Sequence, residues 1–262
     1  MIVVAIYTVG PFVWAISTAF KGPGENVYAF PPRILPEEPT LSNFVTAWQR
    51  VPYFGQYFIN SLLIAGGSIL INIGASSMAG YALARLQFPG RSLAFWIILS
   101  TMMIPFQVVM IPLFLVVLQL GLLNTHLGVI LPTAVTAFSI FLFRQAFLKL
   151  PKELEDAARI DGCSEWGIYW RIMLPLTKPT IATMVIFTFV SSWGEFLWPL
   201  IVLRSPRMYT VAVGLAYLQS QFSANLRWIM AGSVLATVPV LIVFLAFQRY
   251  FIEGATAGAL KG

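Results

Sequence analysis

Charge is what this chain has least of: Asp, Glu, Lys and Arg together make up 10% of its 262 residues, against about 25% in an ordinary soluble domain. With 58% hydrophobic residues and a mean hydropathy of +0.82, a water-solvated globule is excluded. Cysteine is nearly absent, and a lone Cys163 rules out an internal disulfide. Histidine is equally scarce: His126, in a short turn between apolar runs, has no second imidazole to share a metal with. The pattern G-x-x-x-x-G-K-[S/T] does not occur, so this chain carries no P-loop and no nucleotide cofactor of its own. Neither a catalytic triad nor the period-2 alternation of an outer-membrane barrel is visible.

What is present is a series of six apolar runs, at about Ile2–Phe20, Phe58–Ala84, Leu93–Leu118, Leu127–Phe147, Thr180–Leu203 and Trp228–Phe251. A helix of about 20 such residues crosses about 30 Å of hydrocarbon and satisfies its own backbone polar groups there. The expected fold class is therefore all-α: a polytopic membrane protein of six transmembrane helices, in contact with membrane lipid. Residues 1–57 hold the first span and an external loop, residues 58–251 the main transmembrane domain, and residues 252–262 a C-terminal tail. The first run lacks the charged flank and small-residue cleavage site of a secretory signal peptide, and reads as a span.

The net charge of +6 does not point to nucleic acid, because the basic residues are scattered between spans and form no stripe. They report topology instead. With the N-terminus inside, ten fall on the cytoplasmic side (Arg85, Arg91, Arg144, Lys149, Lys152, Arg159, Arg171, Lys178, Arg249, Lys261) and six outside (Lys21, Arg33, Arg50, Arg204, Arg207, Arg227), which places both termini in the cytoplasm. Lys21–Tyr57 then reads as a Pro-rich external loop ending in an interfacial aromatic belt of Trp48, Tyr53, Phe54 and Tyr57. Arg204–Arg227 reads as a second external loop, its Arg204 and Arg207 either a solvated rim or an attraction for an anionic solute such as a glycerol phosphate. Ala75, Ala79, Ser76, Gly80 and Ala84 recur at a spacing that lets a neighbouring helix approach the second span closely. Pro105 and Pro112 interrupt the third.

One segment, Pro151–Pro179, is charged enough to be wet yet patterned as helix. Pro151 suits a first helical position, and Glu153 and Glu155 lie near the positive end of the dipole. Glu155 is expected to pair with Arg159 at i,i+4, and the helix to stop at Gly162. Leu154, Ala157, Ala158 and Asp161 share one face, so the two alanines present a flat contact strip. Ser164 is placed to cap a second helix carrying Trp166, Tyr169, Trp170 and Met173 on one face, which Pro175 ends. The whole reads as a helix–glycine–helix elbow at the cytoplasmic surface.

The elbow resembles the EAA-loop signature of bacterial binding-protein-dependent ABC importer permeases: E-A-A, a following Gly, then I-x-L-P. Here the pattern reads Asp156-Ala157-Ala158 with Gly162, closed by Ile172-Met173-Leu174-Pro175. Asp156 departs from the usual Glu, keeping the charge with a shorter reach, and Cys163 stands where Ala is common. PFVW at Pro11–Trp14 with Ser17 and Lys21, Asn60-Ser61, AGYA at Ala79–Ala82, FPGR at Phe88–Arg91, GLLNT at Gly121–Thr125, FLWP at Phe196–Pro199 and the tail Gly254–Gly262 are similar to the family's carbohydrate branch, the second permease of maltose-type and glycerol-3-phosphate-type importers.

The resemblance implies a subunit of a bacterial cytoplasmic (inner) membrane transporter, not itself an enzyme, that moves a sugar, oligosaccharide or glycerol-3-phosphate. It implies a second homologous permease, two ATP-binding subunits holding ATP and Mg, and an extracytoplasmic solute-binding protein. Glu153, Asp156, Ala157, Ala158, Asp161, Gly162, Leu174 and Pro175 would form the coupling element toward the ATPases. An ion-coupled secondary transporter, the alternative, needs no docking elbow and usually shows inverted repeats with broken helices.

Glu195, in SSWGEFLWP at Ser191–Pro199, is the only acid inside a span, where a charge costs about 2.5–3.5 kcal/mol. Two placements fit. Either it faces the solute pathway with Trp193 and Trp198 beside it, or it lies near the outer interface in a structural pairing.

Overall fold

The computed structural model describes the backbone of residues 2–223 and 225–259 and the side chains of residues 4, 7–223 and 225–248. The expectations for Arg249, Lys261 and the tail 252–262 lie outside the described side chains. Among the described residues there are fourteen α-helical stretches and no strand, as the apolar runs require. In chain order they are α1 (Ile2–Phe20), α2 (Ser42–Arg50), α3 (Phe54–Arg85), α4 (Arg91–Ser100), α5 (Phe106–Gln119), α6 (His126–Ile130) and α7 (Ala137–Lys149). They continue as α8 (Glu153–Ile160), α9 (Glu165–Ile168), α10 (Leu174–Leu176), α11 (Lys178–Gly194), α12 (Leu197–Val202), α13 (Val211–Gln221) and α14 (Leu226–Ala259).

Three of the six expected spans are continuous helices: α1, α3 and α14. The other three are broken, each for a local reason. The run Leu93–Leu118 bends by 103° at Ile104–Pro105. Pro105 lacks the N–H that would continue the ladder and holds Ile104 extended (φ −89, ψ 115), while Pro112 sits inside an intact α5. In the run Leu127–Phe147, α6 ends before Pro132 and α7 restarts where Thr136 accepts from the Ser139 amide at 3.2 Å. The run Thr180–Leu203 breaks at Glu195–Phe196. By length and composition two described helices can cross a membrane, Phe54–Arg85 and the Leu226–Gln248 part of α14, with mean hydropathies of 1.7 and 2.4. The bent pairs Arg91–Met103 with Phe106–Gln119, and Glu165–Leu176 with Lys178–Gly194, raise this to four when each is taken as one span.

The chain divides into two compact units, Met1–Leu62 with Trp193–Ile242, and Leu63–Ser192 with Val243–Gly262. In the first unit both expected external loops contain helix. Lys21–Tyr57 contains α2 and the start of α3, and Arg204–Arg227 contains α13. Buried Asn43 donates from Nδ2 to the carbonyls of Ala19 and Lys21 (2.9 and 2.8 Å), satisfying the end of α1. Asn60 does the same for Arg207 and Tyr209 (2.8 and 3.0 Å), and Ser61 Oγ accepts from the Val211 amide at 2.9 Å. The expected aromatic belt divides, with Trp48 and Tyr53 exposed and the other two residues packed. Tyr57 and Phe54 are buried, and Trp48, Phe54, Phe58 and Trp193 form a chain of ring contacts at 5.4, 5.3 and 5.9 Å.

In the second unit the small-residue stripe does what its spacing predicts. A Cβ on Gly80 would come within 2.7 Å of Phe143 Cβ and 2.9 Å of the Arg144 backbone nitrogen, so only glycine lets α3 and α7 meet there. Around this contact Tyr81, Ala84, Phe143, Phe147, Ile168, Tyr169, Met173 and Met184 form a buried core. Ala158, from the elbow, belongs to the same core.

Candidate functional site

The elbow is built as its residues dictate. α8 ends in a Schellman motif: the Gly162 amide donates to Arg159 O (3.0 Å) and the Cys163 amide to Ala158 O (2.9 Å), with Gly162 at φ +79. That left-handed φ costs a non-glycine residue about 1–2 kcal/mol. Ser164 caps the next helix, its Oγ accepting from the Gly167 amide at 3.2 Å. Pro175 does not end that helix. The chain widens into π-helix over Tyr169–Met173, where the Leu174 amide reaches back to Tyr169 O, and stays helical through Leu176 before bending by 74° at Thr177. A wider turn just before Pro175 accommodates its missing donor.

The charges are arranged differently from the expected i,i+4 ladder. Arg159 does not pair with Glu155. It bridges the turn at Gly162, donating from Nη1 to Asp156 Oδ1 (3.0 Å) and from Nε to Glu165 Oε1 (2.8 Å). The hydrogen bond from Arg159 holds the Glu165 carboxyl below its ordinary value, and the same bond raises Arg159. Glu155 turns inward: its carboxylate lies 3.7 Å from Arg85 Nε, with side-chain exposures of 5% and 3%. Arg85 also donates from Nη2 to Phe147 O at 2.6 Å and to Leu150 O. A carboxylate in a short wet helix pairs with the arginine that best excludes water, and that arginine lies 70 residues earlier.

Burial corrects the flat strip as well. Ala158 is 5% exposed and packs into the chain's own core, whereas Ala157 is exposed, so the two alanines do not share a face. Glu153, Asp156, Asp161, Gly162 and Pro175 are exposed, and Leu174 is half-buried against the core. The expected single face of the second helix also splits. Tyr169 and Met173 are buried, with Tyr169 Oη 2.6 Å from Ser77 Oγ, while Trp166 and Trp170 face outward. The largest exposed apolar side chain of α8 is Ile160, at 86%. Sequence reasoning passed over it, because it lies outside the face of Leu154, Ala157, Ala158 and Asp161.

Glu195 and its tryptophans lie in the other unit. Glu195 is exposed, and its Oε1 accepts from the amides of Leu197 (3.0 Å) and Trp198 (3.2 Å), capping α12 after the interruption of the helix. Trp193 is buried and donates from Nε1 to Ala236 O at 2.9 Å, and Trp198 is 1% exposed. The three residues expected to line a pathway thus form a capped, packed corner. In the same unit Arg207 stacks over Tyr53 (5.2 Å), Arg50 over Trp228 (5.4 Å), and Arg227 donates to Pro23 O (3.1 Å) and Glu25 O.

With this geometry in hand, residues 72–255 match the model of the family described as "Binding-protein-dependent transport system inner membrane component". The sequence is 47% identical over 227 residues to the arabinooligosaccharides transport system permease protein of Halalkalibacterium halodurans, covering 87% of this chain and 81% of that protein. It is 34% identical over 203 residues to the sn-glycerol-3-phosphate transport system permease protein of Yersinia pestis, covering 77% and 72%. In structure it resembles a chain of a bacterial ABC transporter involved in the import of the acidic polysaccharide alginate, with a TM-score of 0.80, 24% identity, and coverage of 95% of this chain and 92% of that one. At that identity the structural likeness speaks for the fold alone.

Proposed function

Because this chain belongs to the family of binding-protein-dependent transport system inner membrane components, we propose that its elbow is the element through which a separate ATPase drives solute import. The chain is a multi-pass permease subunit of an ABC importer in the inner membrane. Six passes, α1, α3, α4–α5, α6–α7, α11–α12 and α14, with both termini cytoplasmic, put the elbow on the side where ATP is available. The observation that carries this reading is the elbow's double character. It is held to the chain's own core by Ala158, Tyr169 and Met173, yet it displays Ile160, Trp166 and Trp170 to solvent. An exposed apolar side chain on a short, rigid, charged helix is the chemistry of a helix seated in a partner's groove.

Two ATPase subunits carry ATP and Mg, a second, homologous permease completes the pathway, and an external binding protein delivers the solute. ATP binding shifts the complex between inward-facing and outward-facing states through contacts that differ between them. Asp156, engaged by Arg159, braces the elbow from within and leaves Glu153 and Asp161 as its freer carboxylates. The solute is a short oligosaccharide. Higher identity to the arabinooligosaccharide permease than to the glycerol-3-phosphate permease supports this, as does the engagement of Arg207 with an aromatic ring in place of an open anion site. The four-subunit complex with its binding protein, reconstituted in proteoliposomes, is to be given radiolabelled arabinotriose, lactose and sn-glycerol-3-phosphate. ATP-dependent uptake of arabinotriose above the other two is expected; preferred uptake of glycerol-3-phosphate overturns the solute, and uptake without any ATPase subunit overturns the mechanism.

A further inference from the structure

The outer surface of the elbow is where a motor pushes; its inner surface has to pass the push on. There one guanidinium holds three pieces of chain. Arg85, at the end of α3, donates from Nη2 to the carbonyls of Phe147 and Leu150 at the end of α7, and its Nε faces Glu155 of α8 at 3.7 Å. That distance is ion-pair reach and beyond a hydrogen bond, and neither Nε nor Glu155 Oε1 has a hydrogen-bond partner. A buried pair of this kind is a poor device for stability, since apolar residues of equal volume serve as well or better. A second buried tie lies on the other arm of the elbow, where Tyr169 Oη meets Ser77 Oγ at 2.6 Å. Ser77 and Arg85 are both on α3, about 12 Å apart along the axis at 1.5 Å per residue. A rod gripped at two separated points cannot pivot about either one.

We propose that Arg85 and Glu155 are positioning residues for transport, a buried latch that makes the elbow, the end of α7 and α3 move as one body when ATP acts on the elbow. The proposal rests on the elbow being the ATPase docking element. Arg85 supplies the directional part, because Nη2 of its planar guanidinium reaches two carbonyls while Nε faces the carboxylate. Tyr169 and Ser77 fix the orientation, so that a displacement of α8 becomes a tilt of α3 with little slip.

The test uses the complex with its ATPase and partner permease in nanodiscs, carrying spin labels at Lys152→Cys, beside α8, and Leu70→Cys, on the exposed side of α3, in a Cys163→Ser background. In the otherwise wild-type complex the interlabel distance distribution is expected to be the same with and without ATP. In Glu155→Gln, and in the paired R85M/E155M variant, which buries no unpaired charge, it is expected to shift or broaden with ATP. The ATPase subunit should copurify in full amount, while arabinotriose imported per ATP hydrolysed falls about tenfold, within the range of coupling changes seen for residues between sites. An unchanged distribution with wild-type import per ATP overturns the latch, and so does an ATP-dependent distance in the wild-type background. Failure of the paired variant to assemble overturns it too, since the pair then serves folding. If the wild-type chain recruits no ATPase, the docking reading falls and the latch with it; the other outcomes fall on the latch alone.

Discussion

The elbow at Gly162 and the break at Glu195 are both helix–break–helix turns with a carboxylate beside the break, and they use it in opposite ways. At Glu195 the carboxylate is exposed and turns back onto two amides of its own chain, and the flanking tryptophans are packed away. At the elbow the acids divide: Glu155 goes into the core to meet Arg85, Asp156 and Glu165 stay at the surface on Arg159, and Glu153 and Asp161 are left exposed. A charge in an unusual place is therefore a weak guide to function until the destination of its hydrogen bonds is known. A carboxylate that satisfies local backbone closes a structure, and one that reaches across 70 residues joins two elements.

The sharpest way to break the comparison is at the buried pair. Arg85→Ala strands the Glu155 carboxylate and should lower stability by about 3–5 kcal/mol, read as loss of folded subunit in detergent unfolding, whereas R85M/E155M should recover most of it. Next comes the exposed face. Ile160→Asp should leave folding unchanged and weaken ATPase binding by about 2 kcal/mol, or roughly 30-fold, in a titration of the ATPase onto the permease. At the other turn, Glu195→Gln should cost about 0.5–1 kcal/mol in unfolding while uptake and apparent solute affinity stay at wild-type values, as expected of a cap; a large loss of uptake at unchanged stability would return Glu195 to the solute pathway. Smallest is the pH effect of the Arg159 brace. The folded Glu165 carboxyl titrates below its ordinary value of 4.5, so its contribution is present above that pH and lost as pH falls through the lower folded value. At a half-exposed site it amounts to less than about 1 kcal/mol, detectable as a steeper loss of melting temperature between pH 5 and 3 in the wild type than in Arg159→Met.

Much of the elbow was readable in one dimension because its determinants are local. Gly162 as a left-handed stop, Ser164 as a cap and Gly80 as a close-approach point follow from spacing and residue type within a few positions. The six apolar runs were legible for the same reason, but their continuity was not. Pro105 marked one interruption, but the restart at Thr136 and the Glu195–Phe196 junction break runs that hydropathy alone draws as unbroken, since an average over 20 residues is insensitive to a local turn. The expected external loops hid α2 and α13 in the opposite sense, as helices of 9 and 11 residues that are too short to stand out as spans.

By itself the sequence determined that this chain is a helical membrane permease of the binding-protein-dependent kind, and where its elbow lies, because hydrophobic run length and short motifs are properties of neighbouring residues. Only the tertiary structure decided which side of the elbow each residue serves. Ala157 and Ala158 are adjacent in sequence, yet one meets solvent and the other the core, because the rotation of α8 is set by the buried anchors Glu155 and Tyr169 and by what they meet on α3. Arg85 and Glu155 found each other for the same physical reason: two charges removed from water have to be brought together, and no local pattern records with whom.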